Sequence, residues 1–472
     1  MYRNLSRRRW GVAALVLVLA SVLSAQDSHY WSQPFGTRSN LLGGVVIGSV
    51  NDLAATYYNP GRLTQIEESA FLLSARVYQF TNLNVKNGLG RGQDVSQSRL
   101  STVPGFTAGV FSARILGSDK VGYSILARHR AQAQFVIRRG DSVDVVVSEP
   151  GPEFLGQEAR LAGELKDDWY GVSWARNLTR EISLGVSTFL SFRRQSGEAR
   201  VLLESLSASN RVATAVRINE YNYKTLALLW KIGVSAQFST ASLGLVITTP
   251  RLHLMGSSSV LFNDVVSHAD LDGDGQPDDL LVAVYEPDLD ARYKSPWAVG
   301  AGAGLTFGRT TVHLSAEWFG PVDKYIVANT ETFVGQSTGD TLQKALVDEL
   351  EAVLNFGVGV ETSLSPKFAL YGTFATNKSA AASGASFLLE SAPETYITTS
   401  DFDLLQVGGG ASFSVWNADF ALGLISEFGT QTIRRPINLP SPSQEELPAG
   451  QAETARISVL HLRLTFGFSL HF

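Results

Sequence analysis

The densest run of chemically capable residues is Asp270-Leu271-Asp272-Gly273-Asp274-Gly275-Gln276-Pro277-Asp278-Asp279. Carboxylates at the first, third, fifth and ninth places around a glycine at the sixth suit a calcium loop. Hard oxygens gather about one cation there, and glycine permits the sharp turn. Asp270, Asp272, Asp274 and Asp278 would supply side-chain oxygens to Ca2+ and Gln276 its carbonyl, while Leu281 stands where a closing glutamate is usual. A more distant acid, Glu286 or Asp288, would have to complete the shell; otherwise the run is a solvated acidic loop tip. A second group, Arg128, Arg130, Gln132 and Gln134 together with Lys231, carries donors suited to an anionic head group such as a carboxylate. Its other reading is a polar lining that merely solvates an interior. No Gly-x-Ser-x-Gly elbow occurs, there are no cysteines, and the seven histidines form no evident catalytic set, so the residues argue against an enzyme.

The elements that would position these residues are strands. Leu460 to Phe472 alternates bulky apolar with polar or small residues and ends on an aromatic. Successive strand side chains point to opposite faces, so one face is apolar along its length while the other carries His461, Arg463 and His471. About ten alternating residues are what a tilted strand needs to cross a bilayer. The same alternation recurs in Ile182 to Arg193, Leu354 to Glu361 and Phe420 to Phe428.

Reading the whole chain this way predicts an all-β, transmembrane antiparallel β-barrel of about fourteen strands between residues 69 and 472. Short turns, as at Gly308-Arg309 and Trp416-Asn417, alternate with long connections, as at 251–294 and 320–348. That asymmetry is expected of outer-membrane barrels, with the short turns periplasmic. Trp169, Trp297 and Trp318 near one set of strand ends, and Trp174, Phe238, Phe307 and Trp416 near the other, predict two aromatic girdles. If lipid-facing positions are apolar, Arg76, Arg128, Arg130, Gln132, Gln134, Arg193, Lys231, Glu317, Glu361, Glu427 and Arg463 face the lumen. The spacing of Leu342, Ala345, Leu346 and Leu350 predicts one helix, over 341–353.

The N-terminus reads as a secretory signal peptide over residues 1–25. Arg3, Arg7, Arg8 and Arg9 precede an apolar run from Gly11 to Leu23, followed by Ser24 and Ala25. Its removal takes the formal charge from −5 to −9, which is unlike a nucleic-acid binder. Residues 26–68 belong to no strand, and a wide barrel needs something to fill its lumen. Within them runs Asn51-Asp52-Leu53-Ala54-Ala55-Thr56-Tyr57-Tyr58-Asn59-Pro60-Gly61-Arg62-Leu63, after a glycine-rich stretch.

That motif resembles the N-terminal hatch of the FadL-type outer-membrane transporters for long-chain fatty acids and aromatic hydrocarbons, with Gly61 where the family usually has alanine. The resemblance implies a lumenal hatch turning at Asn59, Pro60 and Gly61, and passive uptake of a hydrophobic small molecule without a required cofactor. It implies outer-membrane lipid as surroundings and a terminal Phe472 read by the barrel assembly machinery. The family also includes barrels that assist protein secretion, so that role, or a general porin, is the alternative.

Overall fold

The computed structural model describes residues 28–66, 70–74, 77–90, 92–103, 105–111, 119–146, 149–269, 276–382, 393–397, 402–434 and 454–471. The proposed signal peptide, Arg76, Asp270, Asp272, Asp274 and Phe472 lie outside them. Among the described residues no helix is long and apolar enough to cross a membrane.

Among the described residues the first elements are two single-turn helices, α1 (Arg38–Leu41) and α2 (Ala55–Tyr58), and a 3-10 turn over Pro60–Gln65. Strands follow almost without interruption: β1 (Ala70–Ser74), β2 (Val77–Gly90), β3 (Gln93–Val103), β4 (Phe106–Phe111), β5 (Lys120–Val143), β6 (Glu153–Asn177), β7 (Ile182–Leu206) and β8 (Val212–Gln237). Next come β9 (Ala241–Thr248), β10 (Leu252–Ala269), β11 (Asp278–Asp290), β12 (Ala298–Phe307), β13 (Thr310–Phe319), β14 (Val322–Asn329), β15 (Phe333–Val334), β16 (Thr341–Leu342) and β17 (Ala345–Leu350). The last are β18 (Val353–Ser365), β19 (Phe368–Asn377), β20 (Glu394–Tyr396), β21 (Leu404–Val415), β22 (Ala418–Arg434) and β23 (Thr454–His471).

Antiparallel pairing runs from β1 to β4 and on through β5, β6, β7, β8 and β9. It continues from β9 to β12, β13, β18, β19, β21, β22 and β23, and β23 pairs in turn with β1. Much of what the sequence leaves as long connections is also strand. The β2–β3 and β10–β11 hairpins prolong this sheet beyond its base, β2 against β23 and β10 against β8.

Two faces follow from the period of two. Near the short turns the outer face is apolar, with Val172, Ile182, Val234, Leu422, Leu424 and Phe466 all exposed. Such a continuous band would be costly in water at about 25 cal/mol per Å2. Trp174, Trp297, Trp318, Phe238, Phe307 and Trp416 are exposed as the girdle pattern requires; Trp169 instead points inward, buried against Phe189 and Tyr57. Along β6 and β7 the outer residues turn polar above Tyr170 and Phe192, beginning at Asp168 and Arg194.

Inside, the base of the sheet encloses the N-terminal segment, whose Phe35, Leu41, Leu42, Val46, Val50, Leu53 and Leu63 are buried. Above it a second core joins Leu83, Phe135, Leu161, Tyr223 and Ile457 to residues of the long connections, among them Tyr325, Leu346 and Ile397. Those connections form a small sheet in which β17 lies between β14 and β20. The helix predicted over 341–353 is therefore replaced by β16 and β17. Leu346, Val347 and Leu350 are all buried there, and the neighbouring strands satisfy the backbone of β17. A helix would have turned Val347 away from the Leu346 stripe, so tertiary burial overrides local propensity.

Candidate functional site

The interior at the base of the sheet is built around Asn59. Its Nδ2 donates to the carbonyls of Ile47 (3.0 Å) and Val234 (3.1 Å), and its Oδ1 accepts from the Gly61 N–H (3.1 Å). One side chain thus ties two turns of the segment to each other and to β8. Pro60 and Gly61 fit only because the facing wall positions lack side chains. A Cβ at Gly185 would lie 2.4 Å from the Pro60 carbonyl, and one at Gly233 2.1 Å from Asn59 Oδ1. Ser183 Oγ donates to the Gly61 carbonyl (2.8 Å) and Ser187 Oγ to that of Thr56 (2.6 Å). Arg62 donates to the Val50 carbonyl (2.9 Å) and to Gln237 Oε1 (2.7 Å), and burial followed by the charge of Arg38 lowers it to about 10, still protonated at neutral pH. Arg38 is ion-paired with Glu361 on β18.

Above this segment lies a belt of buried cations and aromatic rings. Arg128 donates to the Tyr30 carbonyl (2.6 Å) and sits 5.7 Å from the Tyr57 ring and 5.8 Å from Trp169. Lys231 Nζ lies 4.4 Å from the Tyr57 ring and 3.9 Å from Glu317, whose other oxygen accepts from Trp31 Nε1 at 2.8 Å. Arg251 pairs with the buried Asp167, and Arg193 stacks 3.9 Å from the Tyr293 ring while donating to Tyr223 and Gln195. Burial raises the Tyr57 phenol to about 12, so its ring stays neutral and serves as a cation-π face. Arg193, Lys231, Glu317, Glu427 and Arg463 all face inward and are buried, as alternation predicts.

β5 departs from that alternation. Its register against β6 slips by one between Ala127 and His129, leaving Arg128 as an extra residue. The bulge buries both Arg128 and His129 and reverses the faces above it. Ala131, Ala133 and Phe135 turn inward opposite Leu165, Gly163 and Leu161. Arg130, Gln132 and Gln134 turn outward opposite Lys166, Glu164 and Ala162. The sequence-based expectation that Arg128, Arg130, Gln132, Gln134 and Lys231 share the lumen is thus corrected: Arg128 and Lys231 meet at Tyr57, and the other three stand on the opposite face.

The bulge also opens the wall. β4 pairs with β5 only from Phe106–Leu126 down to Phe111–Val121, while β3 pairs with β2 alone among the described residues. Between Ala127 and Gln134 the β5 edge faces β3 without a ladder. Side chains bridge the top, where the Gln134 N–H donates to Gln97 Oε1 (3.4 Å) and Arg139 to Gln93 Oε1 (2.5 Å). A cavity of about 330 Å3 occupies this window. Its inner wall includes Thr81, Leu83, Ala131, Leu165 and His461, and its rim Arg99, Arg130, Gln132, Glu164 and Lys166. Most of its inner lining was not singled out from the sequence. The usable signal was that the apolar residues of β5 fall mainly on odd numbers both below the bulge, at Val121, Tyr123 and Ile125, and above it, at Ala131, Ala133, Phe135 and Ile137, although the inward face changes from even to odd.

Of the proposed calcium loop, Gln276 and Asp278 are described, and Asp278 opens β11 opposite Ala269. Among the described residues no group of three or more histidines or acids is arranged to hold a metal.

No protein-family profile matches the chain, and no curated protein does. Solved structures do. The P. putida toluene transporter TodX aligns with a TM-score of 0.57 at 12% identity, over 93% of this chain and 99% of that one. The CymD monoaromatic hydrocarbon channel aligns at 0.54 and 12% identity, over 93% and 98%. A Pseudomonas aeruginosa FadL homologue aligns at 0.55 and 12% identity, over 96% and 99%. The chain has the fold of the FadL-type channels.

Proposed function

We propose that the protein is an outer-membrane channel for passive uptake of hydrophobic small molecules, such as hydrocarbons or long-chain fatty acids. In this reading the ring of pairings is a closed fourteen-stranded barrel, the apolar band lies in the bilayer, and the N-terminal segment is a hatch closing the periplasmic half. Pairing that returns from β23 to β1 supports the barrel, and the buried segment around Asn59 supports the hatch. Phe472 is then the residue that the barrel assembly machinery reads.

The observation that carries the reading is the window between β3 and β5. Its level is fixed by the outer faces of its neighbours. Leu100 and Tyr78 on the β2–β3 side are exposed and apolar, whereas Arg130 and Lys166 on the other side belong to the polar zone. The window therefore sits at the upper margin of the apolar band, where a hydrophobic solute could pass between lumen and lipid without crossing the polar end of the barrel. Chemistry along this path consists of shape and desolvation, with no reaction step.

The test is uptake of a labelled monoaromatic hydrocarbon and a labelled long-chain fatty acid by cells producing the protein. Wild type is expected to raise entry of at least one of them. Ala131→Trp, which places an indole in the cavity, is expected to lower that entry by about five-fold or more without loss of assembled protein. Equal uptake with and without the wild-type protein, for both solutes, would overturn the proposal.

A further inference from the structure

Four basic residues stand side by side on the outer face of the sheet. Arg130 of β5 lies opposite Lys166 of β6, Lys166 opposite Arg194 of β7, and Arg194 opposite Lys224 of β8. With strands about 4.8 Å apart, the row runs about 14 Å across the wall. It then continues into Ser257 of β10 and Asp290 of β11. The bulge at Arg128 is what brings Arg130 onto this face and into line with the other three.

The height of the row is as informative as its charge. The registers beneath it are Asp168–Phe192–Leu226 and Tyr170–Leu190–Leu228, which lead into the apolar band. The register above it is Gln132–Glu164–Ser196–Asn222, which is polar throughout. The cations therefore mark the level at which the apolar surface ends.

Like charges directly opposite on neighbouring strands repel and destabilise a sheet. Higher on the same outer face, cations are matched by nearby acids: Arg138 pairs with Glu158 at 2.8 Å and Arg160 with Glu198 at 3.1 Å. Within the row Arg130 pairs with Asp168, and Lys166 with Glu164 at 2.5 Å. Arg194 and Lys224 are exposed and make no ion pair among the described residues. Two exposed cations without an ion-pair partner among the described residues, continuous with two more cations, offer charge-assisted donors to an external anion. At the margin of a bilayer that anion is the head of a lipid.

We propose that the row Arg130–Lys166–Arg194–Lys224 binds the phosphate groups of a phosphorylated glycolipid in the outer leaflet. This rests on the reading that the apolar band lies in an outer membrane. Because Arg130 and Lys166 also form the rim of the window, the bound lipid would stand beside the opening.

The test uses full-length protein in detergent, with native mass spectrometry counting retained lipid. The probes are bis-phosphorylated lipid A, a phosphate-free form of the same lipid, and inorganic phosphate. Wild type is expected to retain the phosphorylated lipid, and R194Q/K224Q to retain it about five-fold less, because charge-assisted contacts are removed. R138Q/R160Q, which removes two cations higher on the same face, is expected to match wild type. Equal retention of the phosphate-free lipid by wild type, unchanged retention by R194Q/K224Q, or displacement of the lipid by millimolar inorganic phosphate would each overturn the proposal. Heat-modifiable migration establishes that each variant is folded. Failure of the wild type to insert into vesicles would instead strike at the channel reading, so the two failures are distinguishable.

Discussion

At the scale of single residues, Asn59 ties the N-terminal segment both to itself and to β8. It is fully buried, and all three of its side-chain hydrogen bonds go to backbone groups, those of Ile47, Val234 and Gly61. Asn59→Ala leaves the Ile47 and Val234 carbonyls without that donor and the Gly61 N–H without its acceptor. At about 1 kcal/mol per bond the loss is about 2–3 kcal/mol. Because the Val234 bond is the one to the wall, the segment should loosen from β8. The expected outcome is a lower melting temperature together with raised ion conductance in planar bilayers. Conductance at the wild-type level with an intact barrel would mean that this turn does not seal the lumen. The sequence marks this residue well, since Asn-Pro-Gly signals a turn. It gives no sign of the partners, because Val234, Gly185 and Gly233 lie over a hundred positions away.

At the scale of elements, β5 and β6 explain why the alternation rule succeeds in one strand and fails in its neighbour. In β6 the apolar set moves from odd residues, Leu155, Leu161 and Leu165, to even ones, Tyr170, Val172 and Trp174. The parity change records in the sequence where the apolar surroundings pass from core to outer face, and the backbone stays regular. In β5 most apolar residues remain odd, so the backbone makes the change by adding Arg128. A one-residue slip flips every side chain beyond it, which is why simple alternation assigns Arg130, Gln132 and Gln134 to the inner face and the structure turns them outward. The existence of strands and most turns was legible because each depends on local pattern; β17 was not, because its partners come from distant connections. Deleting Arg128 should restore a regular ladder and let the free edge of β5 pair with β3. The expected outcome is solute entry reduced to background in protein that still assembles, measured by the uptake assay and by heat-modifiable migration. Unimpaired uptake by the deletion variant would show that the bulge does not hold the path open.

At the scale of the whole molecule, β23 links the two ends of the sheet. It pairs with β22 along seventeen positions, with β2 near its start, and with β1 from Ala70–His471 to Ser74–Gly467. The alternation of this strand was legible, whereas its partnership with β1 was not, since pairing across some 400 residues leaves no local trace. Phe472 directly follows the residue that meets Ala70. Deleting it is expected to slow conversion to the heat-modifiable form by about ten-fold, with little effect on the melting of protein already assembled. Equal conversion rates would remove Phe472 from the assembly signal. The contacts between β23 and β1 have a consequence for the order of events. Ser28 and His29 are fully buried, and His29 bridges to Ser379 on the long-connection side, while the segment they begin leaves at Ile66 near the opposite end. In the proposed closed-barrel reading, the polypeptide is threaded lengthwise through a hoop whose final stitch joins β1 to β23. A completed hoop would have to reopen to admit the thread, so the molecule is most simply made the way a ship is built in a bottle cut lengthwise: contents first, seam last.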